Sequence, residues 1–239
     1  MKRRKDYLDE IINIDINREI RAGKPEAIYA ESKSPQDLVA IVNAYLSEGK
    51  PVLVTKLNKD QISTLKREFS EIEVNERGRI AIVGNLEREI IGKTAILTAG
   101  TSDVPIAEEA ATTAKFLGLE VMKFYDVGIA GLHRVLKPIK KIKESETDSI
   151  IVVAGMEGAL PSVVAGLVDL PVIAVPTSVG YGVHLRGIST LFAMLQSCPS
   201  GVAVVNIDNG FGAAVLAYLI SRVKFKALSK LSHHLQEEK

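Results

Sequence analysis

The sequence predicts an α/β protein whose larger part is a three-layer, doubly wound parallel sheet, preceded by a small α/β amino-terminal module. Beyond residue 93 the chain alternates continuous runs of Val, Ile and Ala with Ala-rich helical segments, which is typical of strands covered on both faces. A Gly-rich loop follows most of these runs. Before residue 93 charged residues alternate with a weaker apolar periodicity, so we predict two domains, 1–92 and 93–239.

In the amino-terminal module, local signals mark each element. Ser34 followed by Pro35 is typical of a helix start, and the apolar spacing behind it predicts a helix over 35–47. The remaining predicted elements are a strand at 51–55, a helix at 59–69, and strand pieces at 73–74 and 80–83.

The larger domain begins with a βα unit: a strand at 95–99, a loop at 100–103 and a helix at 105–117. Pro105 near the helix start and the early acids Glu108 and Glu109 favour this helix. The pattern recurs as strands at 120–126, 149–154, 171–175 and 202–207, with helices from about 161, over 191–196 and from about 213.

Composition excludes several functional classes. The 239 residues carry 30 basic and 29 acidic side chains, a net charge of +1, so nothing indicates a nucleic acid or membrane partner. The basic amino end, 1–5, precedes acids rather than an apolar segment and is interpreted as a solvated helix start. No run approaches the ~18 apolar residues of a membrane span, and we expect a cytoplasmic protein.

The carboxyl ends of parallel strands meet at one edge, where doubly wound sheets bind ligands. Four Gly-rich loops are expected to converge there: 100–103, 155–159, 176–182 and 208–212. A Gly-Thr-Ser loop entering a helix offers N–H groups and hydroxyls to a phosphate, although the same residues also suit ordinary tight turns. Neither the dinucleotide fingerprint nor a Walker loop is present.

Several side chains near this edge could do chemistry. Asp103 is either a helix cap or a general base whose pKa is raised by burial or by a second acid such as Glu157. His133 and Arg134 are either a proton carrier with a phosphate clamp or surface residues. His184 and Arg186 lie between Gly180 and Gly187, where the glycine spacing predicts a mobile loop near the ligand.

Cys198 is the one cysteine of the chain, so an intramolecular disulfide and a multi-cysteine metal site are excluded. Packing and reactivity remain as alternatives. The residue lies at a predicted helix-to-strand junction, and we expect it beside the loop at 208–212. No helix amino terminus would stabilise a thiolate there, so a side chain or ligand would have to supply a positive charge.

Five segments carry a resemblance to a known family: Ala99–Asp103, Asp126–Arg134, Ala154–Ser162, Pro171–Gly182 and Val205–Gly212. Across 93 to about 217 they resemble the LarB family, the carboxylase/hydrolases of nickel-pincer nucleotide biosynthesis. Upstream, Asp15, Arg18, Arg21, Gly23 and Pro25-Glu26 resemble that family's amino-terminal motif, and since the chain starts close to this motif we expect part of the usual leading helical segment to be absent. The carboxy-terminal domain is also similar to PurE, the aminoimidazole ribonucleotide carboxylase or mutase of the purine pathway.

The resemblance implies a substrate and a reaction. The substrate would be nicotinic acid adenine dinucleotide, carboxylated at pyridinium C5 with carbon dioxide or bicarbonate and cleaved at its phosphoanhydride. The products would be AMP and pyridinium-3,5-biscarboxylic acid mononucleotide. Addition of the Cys198 thiolate to the ring, at C4, would make C5 nucleophilic, and the positive ring would itself favour the thiolate.

The resemblance also implies the site residues. Cys198, Asp103 and Glu157 would be catalytic, and a larger set would bind substrate: Arg18, Arg21, Gly100, Thr101, Ser102, His133, Arg134, Gly155, Met156, Gly158, Thr177, Ser178, Val179 and Gly180. Mg²⁺ held mainly by substrate oxygens would neutralise phosphate charge, with no organic cofactor. Its protein ligands stay unassigned; Asp208 is a ligand or, preferably, a cap of the turn at Asn209-Gly210. PurE relatives form octamers, so we expect a homo-oligomer.

One departure weakens the purine alternative. The purine enzymes carry a catalytic His in an Ala-Ala-His-Leu-Pro setting, whereas Ala159 occupies that place here. A purine carboxylase or mutase would therefore lack its proton shuttle. A non-catalytic nucleotide sensor on the same fold, with Cys198 used for packing, is the remaining alternative.

Overall fold

The computed structural model describes residues 14, 15 and 17–237. The chain divides into two compact units, Met1–Glu87 and Arg88–Lys239, a few residues before the division expected from composition. The helix start predicted at the basic amino end lies outside the described residues. No helix in the described part of the chain is long and apolar enough to cross a membrane.

The amino-terminal unit is a four-stranded sheet with helices packed on it. Its elements are α1 (Arg18–Ala22), β1 (Ala27–Tyr29), α2 (Pro35–Ser47), β2 (Val52–Thr55), α3 (Lys59–Glu68), β3 (Ile72–Asn75) and β4 (Ile80–Val83). The strand order is β1-β2-β4-β3. β1 and β2 are parallel, whereas β4 runs antiparallel to both of its neighbours.

The helix starts in this unit follow from local sequence. Ser34 Oγ accepts the Asp37 N–H at 3.1 Å, which caps α2 as its sequence predicts. Asn58 and Gln61 form a capping box at the start of α3. The short elements α1 and β1 are not predicted, because three to five residues carry too little periodicity for recognition.

The carboxy-terminal unit repeats a βα pattern. Its elements are β5 (Gly92–Thr98), a 3-10 turn (Thr101–Asp103), α4 (Val104–Phe116), β6 (Leu119–Phe124), α5 (His133–Lys143), β7 (Ser149–Ala154), α6 (Leu160–Ala165), β8 (Val172–Pro176), α7 (Ile188–Leu195), β9 (Val202–Val204) and α8 (Gly210–Glu237). All pairings in its five-stranded sheet are parallel, in the order β6-β5-β7-β8-β9.

Helices cover both faces of this sheet, which makes three layers. α4 and α8 pack together on one face, and α5, α6 and α7 contribute buried side chains to the core of the other. Every residue of β7 is buried, as continuous apolar strands require. The predicted doubly wound α/β fold is confirmed.

Strand order reverses between β5 and β7. The chain leaves β5 toward β6 on one side and returns to β7 on the other, so the loops after β5 and β7 diverge and open a crevice. This topological switch point lies at the carboxyl edge of the sheet.

The last strand and last helix differ from prediction. β9 ends at Val204 rather than at 207, because Val205 N–H donates to Ala174 O and Asp208 N–H donates to Pro176 O, so the chain bulges between them. α8 starts at Gly210 rather than near 213. α5 begins at His133, after the Gly-rich segment that follows β6, in a part of the chain for which no helix bounds were predicted.

Candidate active site at the carboxyl edge of the sheet

Hydrogen bonds connect the four loops that follow β5, β7, β8 and β9. Thr177 Oγ1 donates to Asp103 Oδ1 at 2.8 Å, which joins the loops after β8 and β5. Ser178 N–H donates to Asp208 Oδ1 at 2.8 Å, and Met156 N–H donates to Val179 O at 3.3 Å. The loops therefore form one connected edge beside the switch point.

Asp103 is the buried carboxyl group of this edge, with only 4% of the residue exposed. Its Oδ2 accepts the Gly100 N–H at 2.9 Å, and its Oδ1 accepts the Thr177 hydroxyl. Burial raises the pKa of Asp103, and hydrogen bonds from Gly100, Thr177 and Gly155 only partly oppose this. Asp103 is thus both a cap of its own loop and a carboxyl group that holds its proton more tightly than usual.

The second acid near Asp103 is Asp208, whose charge contributes to the raised pKa of Asp103. The sequence points instead to Glu157 for this effect, but the Glu157 side chain is exposed on the turn after β7. Asp208 has a further role besides the cap of the turn at Asn209-Gly210, which stays a prediction. Asn209 Oδ1 accepts the Gly212 N–H at 2.7 Å and so caps α8, while Asp208 joins two loops.

The turns after β5 and β7 place small and exposed residues around Asp103. Thr101 and Ser102 are exposed at the start of α4, where their hydroxyls can reach a ligand. A Cβ at Gly155 would lie 2.2 Å from Val179 O, so only glycine fits this crossing of two loops. Met156 and Gly158 have positive φ angles of 50° and 64°, which the tight turn requires.

In the loop after β8, two of the backbone N–H groups predicted to bind an anion already donate hydrogen bonds within the protein. The N–H groups of Thr177 and Ser178 donate to Ala154 O and to Asp208. They cannot also bind a phosphate, which corrects the expectation that all four backbone groups of 177–180 hold the ligand. Within the described residues, the N–H groups of Val179 and Gly180 make no such bond, and these two residues are exposed.

Arg134 fixes the loop after β6. Its guanidinium donates to Asp126 O at 3.1 Å and to Gly128 O at 3.3 Å, and it pairs with the Asp126 carboxylate at 3.2 Å. A Cβ at Gly128 would lie 2.5 Å from Ala99 O, so this loop packs closely on the β5 loop. His133 is exposed at the start of α5. Arg134 therefore has a structural function in addition to any contact with substrate.

Cys198 precedes β9, whereas the loop at 208–212 follows it, so a position of Cys198 beside that loop stays a prediction. The segment that contains Cys198 leads into the start of β9, where Gly201 O accepts the Val172 N–H at 3.0 Å. The hydroxyls of Ser197 and Ser162 lie 2.6 Å apart, which places this segment against α6. Cys198 is also exposed, so the packing interpretation does not hold within one copy.

Arg18 and Arg21 lie in the amino-terminal unit and pair with acids of the same motif. Arg18 Nη1 contacts Glu26 Oε1 at 3.3 Å, and Arg21 pairs with Asp15. Gly23, with φ of 71°, ends α1 between them. The motif that resembles the LarB family therefore stabilises its own turn, and contact of either arginine with substrate stays a prediction.

The described residues hold no group of three or more His, Cys, Asp or Glu side chains arranged to bind a metal ion. Asp103 uses both carboxylate oxygens as acceptors, and Asp208 uses Oδ1. These two carboxylates are too few to hold a resident Mg²⁺ ion without substrate oxygens and water.

Comparison with known proteins agrees with this architecture. Residues 93–239 match the AIR carboxylase family, and residues 7–85 match the LarB/PurE-like N-terminal domain. An uncharacterized protein of Methanocaldococcus jannaschii is 44% identical over 228 residues, which cover 92% of this chain and 88% of that protein.

More distant relatives and solved structures share only part of the chain. The N5-carboxyaminoimidazole ribonucleotide mutase of Methanocaldococcus jannaschii is 37% identical over 137 residues, covering 56% of this chain and 82% of that enzyme. The crystal structure of Treponema denticola PurE superposes with a TM-score of 0.46 at 22% identity, covering 61% of this chain and 94% of that one. The chain belongs to the LarB family, with an amino-terminal domain of that family followed by a PurE-like carboxy-terminal region.

Proposed function

We propose that the protein carboxylates pyridinium C5 of nicotinic acid adenine dinucleotide and hydrolyses its phosphoanhydride, giving AMP and pyridinium-3,5-biscarboxylic acid mononucleotide. Membership of the LarB family supports this reaction class. The observation that carries the proposal is the buried Asp103, held by Gly100 and Thr177 at the switch point.

Each proposed step conserves atoms and charge. The thiolate of Cys198 adds to ring C4, and the resulting dihydropyridine attacks carbon dioxide through C5. A base then removes the C5 proton, and expulsion of the thiolate restores the aromatic ring. Asp103 suits the base, because burial raises its pKa toward the range in which a carboxylate accepts a proton effectively.

The position of Cys198 adds a requirement to the proposal. Within one copy, Cys198 precedes β9, whereas Asp103 follows β5 at the carboxyl edge, and we propose that a second copy supplies the thiol. Exposed apolar side chains on α7, just before Cys198, support contact between copies: Ile188, Phe192 and Leu195 are 43%, 57% and 61% exposed. The site would then be complete only in the homo-oligomer.

Mg²⁺ in this proposal is bound by substrate phosphate oxygens rather than by a protein cage. Its chemistry would be to neutralise charge during hydrolysis. For the protein, the exposed hydroxyls of Thr101 and Ser102 and the N–H groups of Val179 and Gly180 are the groups proposed to orient the dinucleotide.

Mixed oligomers test both the chemistry and the shared site. Cys198→Ser and Asp103→Asn should each abolish carboxylation alone, and subunit exchange between them should restore part of the activity. In the mixture, some sites combine an intact Asp103 from one copy with an intact Cys198 from another. Wild-type activity of Cys198→Ser, or no recovery after verified exchange, would contradict the proposal.

A second candidate function is a nucleotide sensor without catalysis. It is favoured by the exposed Cys198, which has no contact with Asp103 among those that the structure describes within one copy. Nucleotide binding by the wild-type oligomer without any carboxylated product in the presence of bicarbonate and Mg²⁺ would support the sensor.

A further inference from the structure

His184 is buried in the loop between β8 and α7, yet one of its ring nitrogens has no partner. The residue is only 5% exposed. Nδ1 accepts the Gly187 N–H at 3.2 Å, so in the neutral ring the proton is on Nε2. That Nε2 is buried and finds no hydrogen-bond partner among the residues that the structure describes.

A buried donor without an acceptor is costly, since it has lost its contact with water and gained nothing in exchange. Such groups in folded proteins are explained by a strained or functional arrangement. The backbone around His184 shows such an arrangement: Leu185 and Arg186 have positive φ angles of 48° and 53°, which non-glycine residues rarely adopt.

The loop is also fixed to the candidate site. A Cβ at Gly180 would lie 2.6 Å from the His184 ring, so the ring packs directly on the backbone of the β8 loop. A Cβ at Gly187 would lie 2.9 Å from the carbonyl oxygen of Thr177, and the hydroxyl of the same Thr177 donates to Asp103. His184 therefore belongs to the same edge of the sheet as the buried carboxyl group.

We infer that His184 is a ligand-binding residue, whose Nε2–H donates a hydrogen bond to an anionic oxygen of the nucleotide bound at the carboxyl edge. The exposed Val179 and Gly180 lie in the same loop, and their N–H groups are further donors for an anionic group bound there. The acceptor is a phosphate or carboxylate oxygen, the groups that neutral N–H donors of this kind bind best. This inference rests on the proposed function for the identity of the nucleotide, but not for the presence of the donor.

Two substitutions test the roles of the two His184 ring nitrogens separately. His184→Asn places an amide oxygen near Nδ1, where it can still accept the Gly187 N–H, but removes the Nε2 donor. His184→Gln places an amide N–H near Nε2 and removes the acceptor for Gly187. The experiment measures dissociation constants for nicotinic acid adenine dinucleotide and for AMP by calorimetry, without bicarbonate, together with thermal midpoints and oligomer mass.

The two variants should have opposite effects on affinity and on thermal stability, which we call the crossed pattern. His184→Asn should keep the thermal midpoint and lose roughly 10-fold or more in affinity for at least one probe, as expected for a hydrogen bond to a charged group. His184→Gln should keep most of the affinity and lose thermal stability. Equal affinity of His184→Asn and wild type, or parallel loss of affinity and stability in both variants, would overturn the inference.

Other outcomes separate this inference from the proposed function. The crossed pattern without any carboxylated product from wild type would reject the proposed reaction and keep His184 as a ligand-binding residue. Tight dinucleotide binding and full carboxylation by His184→Asn would keep the reaction and reject the inference. A change in oligomer mass with unchanged affinity would assign Nε2–H to a contact between copies, and failure of wild type to bind either probe would reject both ideas.

Discussion

The Thr177 hydroxyl donates to Asp103 Oδ1 at 2.8 Å, across the loops that follow β8 and β5. Both residues are buried, and they are far apart in sequence. The bond fixes the orientation of the Asp103 carboxyl group and lowers its pKa against the larger, raising effect of burial. It therefore sets how readily Asp103 exchanges a proton.

Removal of this donor should move the pH dependence of catalysis. Thr177→Val leaves Oδ1 without its hydroxyl partner, so the pKa of Asp103 should rise further. As a base, Asp103 must be ionised, and the acidic limb of the kcat/KM profile should shift to higher pH. Thr177→Ser retains the donor and should keep the wild-type profile, whereas identical shifts in both variants would argue against the hydrogen bond as the cause.

The stability of the fold should also depend on the ionisation of Asp103. Because its folded pKa is raised, Asp103 contributes stability that is fully present below the unfolded value of about 3.8 and is lost as pH rises through the folded pKa. The unfolding free energy of wild type relative to Asp103→Asn should therefore decrease with rising pH over this window. Denaturant titrations at several pH values measure this difference, and an increase would contradict the raised pKa.

The stability that Asp148 contributes should depend on pH in the opposite direction. Burial would raise its pKa, but hydrogen bonds from Lys224, Ser221 and the Lys93 N–H outweigh burial and lower it. Its stabilisation is therefore present above about pH 3.8 and lost as pH falls through the folded pKa. Asp148→Ala should lower the unfolding free energy at neutral pH by about 1–3 kcal/mol, with a smaller effect in acid. A pH-independent effect would assign the loss to packing alone.

Alanine substitutions at two glycines test how closely the side chains around Asp148 are packed. A Cβ at Gly92 would lie 2.1 Å from Asp148 Oδ2 and 2.5 Å from the Ser221 side chain. Gly92→Ala should therefore displace this buried cluster and lower the thermal midpoint by several degrees. The matched Gly166→Ala, whose Cβ meets only carbonyl oxygens at 3.6 Å, should be close to neutral. Equal midpoints for the two variants would show that the cluster adjusts freely.

The exposed face of α7 should mediate contact between copies. Phe192→Glu places a charge in the apolar surface and should reduce both the oligomer mass in light scattering and the carboxylation rate. Leu136→Glu, at a similarly exposed apolar position on α5, is the matched control and should retain both. A concentration-independent monomer in wild type would exclude a site shared between copies.

Sequence patterns were sufficient for the architecture. Continuous apolar strands and capping residues such as Ser34 act locally, so the parallel sheet and most helices could be read from neighbouring residues. The location of Asp103 and Thr177 at the carboxyl edge could be predicted in the same way, because Thr177 directly follows β8 and Asp103 lies in the short turn after β5.

The remaining features depend on contacts between distant segments. Cys198 and the loop at 208–212 are close in sequence, yet they lie on either side of β9, so proximity along the chain does not by itself place them together. Hydrogen bonds from the Ser178 N–H to Asp208 and from Arg134 to the β6 loop use groups that the sequence had left available for a ligand. The unpartnered Nε2 of His184 leaves no signal in composition or spacing.

Mass spectrometry of the products tests whether this protein carboxylates and cleaves the dinucleotide. Wild-type protein is incubated with nicotinic acid adenine dinucleotide, Mg²⁺ and ¹³C-labelled bicarbonate. We expect AMP together with a biscarboxylated pyridinium mononucleotide that carries one ¹³C atom, and neither product with Cys198→Ser. Recovery of unchanged dinucleotide, or AMP release without label in the mononucleotide, would contradict carboxylation by this protein.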